Sequence, residues 1–133
     1  MGQTSITSTR RILVVEDDRD TSEVLCLVLT MMGHVCRPVF TGRSALDEAD
    51  AFNPDIALVD VGLPDLSGYE LAPLLRASCS NGAALHIVAV TGWGRPEDIA
   101  RMNAAGFDQH VLKPTDTAAL KHLVAVADAA VAG

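Results

Sequence analysis

The chain has 133 residues, 49% of them hydrophobic, which is enough for one domain around a single core. No stretch approaches the roughly 20 consecutive apolar residues of a membrane-spanning helix, and a net charge of −7 argues against general nucleic-acid binding. The 3 cysteines, Cys26, Cys36 and Cys79, have no metal-ligand spacing and read as free thiols of a reducing cytoplasm.

Residues 1–9 are mostly Ser, Thr, Gly and Gln and lack the apolar segment of a signal peptide, so a disordered leader is expected before a domain over residues 10–133. Arg11 to Glu16 reads as a first strand. Asp20 to Met32 reads as a helix, with Asp20 as its cap, Glu23 at the capping-box position and Gly33 as its end. Its apolar residues Val24, Leu25, Val28, Leu29 and Met32 recur at helical spacing. His34 to Pro38 is a short second strand. Thr41 to Phe52 is a second helix with Ala45, Leu46, Ala49 and Phe52 inward, and Asn53-Pro54 breaks it. Asp55 to Asp60 is the third strand. A third helix runs from about Ser67 to Ser78, with Pro73 inside its first two turns or kinking it.

Asn81-Gly82 is a turn, and Leu85 to Thr91 is the fourth strand. Pro96 is placed to open a fourth helix that Gly106 closes. Phe107 to Leu112 is the fifth strand, and Asp116 to Val131 the fifth helix, with Leu120, Leu123, Val124 and Ala127 inward. Strictly alternating strands and helices are the signature of an α/β fold, a parallel sheet of five strands with five helices on both faces. In such sheets ligands bind outside the carboxyl ends of the strands, where the strand order reverses.

Polar groups sit at those ends. The first strand ends in Glu16-Asp17-Asp18, the third in Asp60, the fourth in Thr91-Gly92 and the fifth in Lys113-Pro114. Three carboxylates in one crevice, Glu16, Asp17 and Asp60, repel one another unless a cation intervenes. Mg²⁺ suits such a set, because it takes oxygen ligands and keeps several waters, and no Cys/His set favours zinc. Asp60 can act as a nucleophile that forms an acyl phosphate. Lys113 supplies positive charge to a phosphoryl oxygen, and the Thr91 hydroxyl donates to another. Taken singly, Asp60 reads as a turn residue, Asp17 as a solvated charge and Lys113 as a surface lysine. Jointly those readings would place five suitable groups at four strand ends by accident.

These residues carry a resemblance. Ile12-Leu13-Val14-Val15-Glu16-Asp17-Asp18, Asp60-Val61-Gly62-Leu63-Pro64 with Gly68, Thr91-Gly92 and Lys113-Pro114 resemble the receiver domain of two-component response regulators over residues 11 to about 131. The resemblance implies strand order 2-1-3-4-5, the flavodoxin-like receiver fold. It implies Asp60 as the acceptor of a phosphoryl group from a phosphohistidine on a histidine kinase or histidine phosphotransfer protein. It implies Mg²⁺ bound directly by Asp17, mainly through water by Glu16, and by Asp60 and the Gly62 backbone carbonyl. It also implies a cis bond before Pro114. Glu16 replaces the family's more usual aspartate. Thr91 and His110 are the implied switch residues, and the family more often has Tyr or Phe where His110 stands. Output to a downstream protein is implied through the fourth helix, fifth strand and fifth helix. The stretches Thr91-Gly92-Trp93-Gly94 and Ala105-Gly106-Phe107-Asp108-Gln109-His110 also resemble receivers attached to hybrid histidine kinases.

The expected function is a cytoplasmic signalling switch, not an enzyme, with chemistry confined to its own phosphorylation and dephosphorylation. Two rivals are an aspartyl phosphatase and a phosphorylation-independent interaction module. The first would want an acid/base carboxylate where Gly62 stands, and the second would be expected to lack the acceptor, acidic pair or lysine. A flavin protein of similar topology would need a phosphate cradle where Glu16-Asp17-Asp18 stands. Gly62 and Trp93, each two residues beyond a site residue, are expected to tune the phosphoryl lifetime, with Trp93 exposed. His34, His86 and His122 are given no role at the crevice.

Overall fold

The computed structural model describes residues 9–132. The expected leader, apart from Thr9, lies outside the described residues. Five parallel strands form one sheet in the order β2-β1-β3-β4-β5, from β1 (Arg11–Val15), β2 (Val35–Val39), β3 (Ile56–Asp60), β4 (His86–Thr91) and β5 (Gln109–Leu112). The helices between them are α1 (Arg19–Met31), α2 (Gly42–Phe52), α3 (Gly68–Ser78), α4 (Pro96–Ala105) and α5 (Thr117–Ala132), with a 3-10 turn at Gly82–Ala84. Strand order and element count match the sequence expectation.

Burial follows position in the sheet. β3 and β4 are buried along their whole length, because sheet neighbours flank them and helices cover both faces. The edge strands β2 and β5 are partly exposed. Pro38 is tolerated in β2 because an edge strand has one side without a ladder partner. Alternate residues along the strands feed two cores. Leu13, Val15, Ala57, Val59, Ile87 and Ala89 pack with Ala45, Ala49 and Phe52 of α2, Leu71 and Leu75 of α3 and Met102 of α4. Ile12, Val14, Ile56, Leu58, Val88 and Val90 pack with Leu25 and Leu29 of α1 and Leu120, Leu123, Val124 and Ala127 of α5. Each fully buried Leu or Ile contributes roughly 1.5–3 kcal/mol by leaving water.

The helix ends show where local chemistry acts, and where the sequence expectation needs correction. The cap of α1 is Asp18, not Asp20. Ser22 N donates to Asp18 O (2.9 Å) while the Asp18 carboxylate bonds only the Thr21 hydroxyl (2.5 Å) and no helix N–H; Asp20 falls inside the first turn, where its charge favours the helix N-terminus, and Glu23 closes no capping box. Val24, in the apolar series of that helix, is 58% exposed, whereas Leu25 and Leu29 are buried. Thr41 caps α2 by accepting from Ser44 N at 3.0 Å. Ser67 and Glu70 form a full capping box on α3. Pro73 lies within the first two turns of α3 and is exposed. Pro96 opens α4 and Gly106, at φ 96°, ends it. β5 begins at Gln109 and not at Phe107, because Phe107 N still bonds Met102 O and Asp108 N turns to Ile87 O.

Two contacts set the loop that follows β3. Asp65 accepts from Gly42 N (2.9 Å) and Arg43 N (3.0 Å) at the start of α2, and these bonds hold its carboxyl below the usual range. Gly68 N donates to Val61 O (3.0 Å), and a Cβ at Gly68 would lie 2.6 Å from Val61 Cα. Only glycine permits this approach.

Candidate functional site

Strand register brings the predicted groups together. Val15 pairs with Val59, Asp60 with Val90, and Thr91 with Leu112. Glu16, Asp60, Thr91 and Lys113 therefore stand at neighbouring carboxyl ends. Glu16 and Asp60 are buried, and Asp17 beside them is exposed. One carboxylate oxygen from each of Glu16, Asp17 and Asp60 lies within 4.8 Å of the other two.

Both Asp60 oxygens are engaged. Oδ1 accepts from Gly62 N at 2.9 Å, and Oδ2 accepts from Lys113 Nζ at 2.8 Å. Lys113 Nζ also lies 3.3 Å from Glu16 Oε1. Burial pulls the Lys113 ammonium down, but the hydrogen bond and charge of Asp60, then the charge of Glu16, outweigh it and leave its pKa raised. Lys113 N bonds Thr91 O at 2.8 Å, and the Lys113–Pro114 peptide is cis. The backbone thus anchors the lysine to the strand that carries the threonine.

Glu16 is the least satisfied member. Oε2 accepts from Asp18 N at 3.1 Å. Oε1 is buried and, although near Lys113, makes no hydrogen bond. Burial raises its pKa from 4.5 to about 7, the Asp18 N–H works against this, and the neighbouring Asp60 charge adds to it. Lys113, shared with Asp60, offsets this only in part, and the donor set fits a metal cation. Three carboxylates against one ammonium leave a formal charge of −2, which one hard divalent cation with oxygen ligands would cancel.

Thr91 is 1% exposed, and its Oγ1 accepts from Trp93 N at 3.0 Å, which leaves the hydroxyl proton free to donate. Trp93 is 62% exposed, as expected, with the Arg95 guanidinium 5.2 Å from its ring centre. His110 is exposed on β5. Val111 packs into the α1/α5 core, so strand alternation turns His110 to the opposite face. His34 and His86 are buried away from the crevice. His34 Nδ1 accepts from Arg10 N, and His86 bonds the Gln109 side chain.

Sequence reasoning missed the surroundings. A cleft of about 670 Å³ adjoins Glu16 and Lys113 between Thr21, Val24 and Leu25 on one side and Pro114 and Thr115 on the other. The exposure of Val24 is its only trace in the pattern, and exposure is not written in a helical period. Arg76 was also missed. Its guanidinium donates to Gly82 O, Leu85 O, Gly106 O and Asp108 Oδ2 at 2.6–3.1 Å, tying α3 to the turns on either side of β4 and α4.

The description "response regulator receiver domain" fits residues 12–125. The chain is 36% identical over 104 residues to the two-component response regulator PhoP of Pseudomonas aeruginosa, covering 78% of this chain and 45% of PhoP. It is 28% identical over 116 residues to the CAI-1 autoinducer sensor kinase/phosphatase CqsS of Vibrio cholerae, covering 87% of this chain and 17% of CqsS. The chain thus spans less than half the length of either relative. The crystal structure of a putative response regulator from Chloroflexus aurantiacus superposes with a TM-score of 0.82 at 28% identity, covering 92% of this chain and 99% of that one. No helix among the described residues is long and apolar enough to cross a membrane. The matched span runs from the first strand into the last helix and takes in all four strand ends of the crevice, so this chain belongs to the response regulator receiver domains of two-component signalling.

Proposed function

We propose that residues 10–133 form a switch that accepts a phosphoryl group on Asp60 from a phosphohistidine of a histidine kinase or histidine phosphotransfer protein. One contact carries the reading. The Lys113 ammonium sits 2.8 Å from a buried aspartate inside a cluster of three carboxylates, a charge arrangement suited to a dianionic phosphoryl group and a cation. Asp17, Glu16, Asp60 and the Gly62 carbonyl would hold Mg²⁺, which when bound neutralises phosphoryl oxygens.

This chain's own residues do the rest. An Asp60 carboxylate oxygen forms the new bond to phosphorus as the imidazole N–P bond of the donor breaks, and the imidazole takes up a proton. The Gly62 N–H orients the carboxylate. Lys113 exchanges its bond to Asp60 for one to a phosphoryl oxygen, and the free Thr91 proton donates to another. The movement of Thr91 would draw the Trp93 loop and α4 with it, and His110 on the adjoining strand would respond. α4, β5 and α5 would then present the altered surface to a downstream protein.

Intact mass after incubation with acetyl phosphate, with and without Mg²⁺, tests this reading. A Mg²⁺-dependent gain of about 80 Da, absent in Asp60→Asn, is expected. A gain that persists in Asp60→Asn would place the acceptor elsewhere and end the assignment. No gain from acetyl phosphate or from any phosphohistidine donor would leave a phosphorylation-independent module.

A further inference from the structure

Away from the crevice the fold joins two side chains that sequence spacing leaves unrelated. Cys26 stands on α1 and Cys36 on β2, ten residues on, and their sulfurs are 2.8 Å apart. That is inside the roughly 3.5–4.0 Å at which non-bonded heavy atoms settle and above the roughly 2.0 Å of a sulfur–sulfur bond. Both thiols are free and half-buried, whereas Cys79, at the end of α3, is buried. Cys36 pairs in register with Ile12, three rungs before Val39 and Val15 at the crevice end of the sheet.

The pair is asymmetric. The Cys36 thiol donates to Cys26, which holds the Cys26 thiol below its ordinary pKa against the opposing effect of burial and raises that of Cys36. The buried Ser22 hydroxyl, one turn earlier on α1, makes no hydrogen bond of its own and, beside Cys26, favours the thiolate. One sulfur is thus prepared to attack and the other to resolve, which is the division of labour of a dithiol that exchanges with disulfides.

We propose that Cys26 and Cys36 are a thiol–disulfide exchange site that closes reversibly on reaction with a small-molecule disulfide, bonding α1 to the edge strand β2. The Cys26 thiolate attacks one sulfur of the oxidant. A mixed disulfide forms on Cys26, the oxidant's sulfur–sulfur bond breaks, and one thiolate leaves. Cys36 then loses its proton and attacks Cys26 Sγ. The intrachain bond forms, the mixed disulfide breaks, and the second thiolate leaves and takes up the proton. Two protein thiols are oxidised and one small disulfide is reduced to two thiols. α1 also supplies Thr21, Val24 and Leu25 to the cleft beside Glu16, so closure would fix that wall of the cleft.

The test is native incubation of the full chain with oxidised glutathione, followed by intact mass, thiol titration after denaturation and peptide mapping. The expected result is a mass loss of about 2 Da, a fall from three free thiols to the single thiol of Cys79, and a Cys26–Cys36 linked peptide. Dithiothreitol should reverse all three. Cys36→Ser should stop with one glutathionyl group on Cys26, and the peptide map of the unmutated chain needs no variant. Three retained thiols, a stable glutathionyl adduct on the unmutated chain, or a link through Cys79 or between two chains would overturn the assignment. None of these readouts depends on phosphorylation.

Discussion

The orphaned oxygen of Glu16 makes a quantitative prediction for the metal-free protein. The carboxyl climbs from 4.5 to about 7 because it is buried with one oxygen unbonded. That climb corresponds to about 3 kcal/mol of differential interaction between its two protonation states. The sign follows from proton counting. Between pH 4.5 and 7 the folded chain holds the Glu16 proton and the unfolded chain has lost it, so stability falls as pH rises. The contribution is fully present below pH 4.5, is lost across that window, and is level above it. Glu16→Gln keeps the shape and removes the titration.

Urea unfolding in EDTA at half-unit steps from pH 4.5 to 8 gives the stability of both proteins. Other titrating groups are common to the two, so the difference between them isolates Glu16. We expect Glu16→Gln to gain about 3 kcal/mol on the unmutated chain over the window. Excess Mg²⁺ should flatten the curve of the unmutated chain and leave that of Glu16→Gln little changed. A difference that stays constant from pH 4.5 to 8 would refute the reasoning. It would mean that the buried carboxylate is compensated without a cation, and the case for a cation from the donor set would fail with it.

Three further perturbations probe the site and its supports. Lys113→Met removes the only ammonium within reach of Asp60 among the described residues, so the rate of phosphoryl gain from acetyl phosphate should fall roughly a hundredfold; an unchanged rate by intact mass would remove Lys113 from the chemistry. Gly68→Ala would place a Cβ 2.6 Å from Val61 Cα, costing about 1–3 kcal/mol by urea midpoint and slowing phosphorylation as the loop after Asp60 shifts; full activity at native stability would show that the loop absorbs the methyl freely. Arg76→Ala leaves three backbone carbonyls and the Asp108 carboxylate without this donor, for a loss of about 3 kcal/mol with the site untouched. A urea midpoint within error of the parent would show that water replaces the guanidinium.

Period and punctuation made the frame legible. Ile12 to Val15, Ile56 to Val59 and Ile87 to Val90 are continuous apolar runs, and runs that short, between helical patterns, are strands covered on both faces. The caps were readable only where one residue had a single geometric use. Gly106 reads as a stop because its positive φ is cheap for glycine alone. Asp18 and Asp20 can both cap α1, and the choice fell to Asp18 because the chain leaving Glu16 reaches helical geometry one residue after it. Leu25 and Val24 differ by one position and one shell of neighbours, and a sequence pattern holds the first but not the second.

The crevice was legible for a different reason. Its members come from four strands, far apart in the chain, yet a parallel sheet puts all carboxyl ends on one edge, so polar residues that end apolar runs must meet. What the sequence withheld is what depends on side-chain reach across elements. No periodicity brings Arg76 to carbonyls up to 30 residues away, or Cys26 to Cys36. Both contacts arise because a helix lies over a strand at a particular height, a quantity fixed by packing. The same limit separates Glu16 from Asp17. Adjacent in sequence and alike in charge, they differ in that one side chain turns under the loop and the other turns out to water. That difference, not the number of carboxylates, raises the Glu16 carboxyl to about 7 and makes it the group whose charged form a cation would stabilise most.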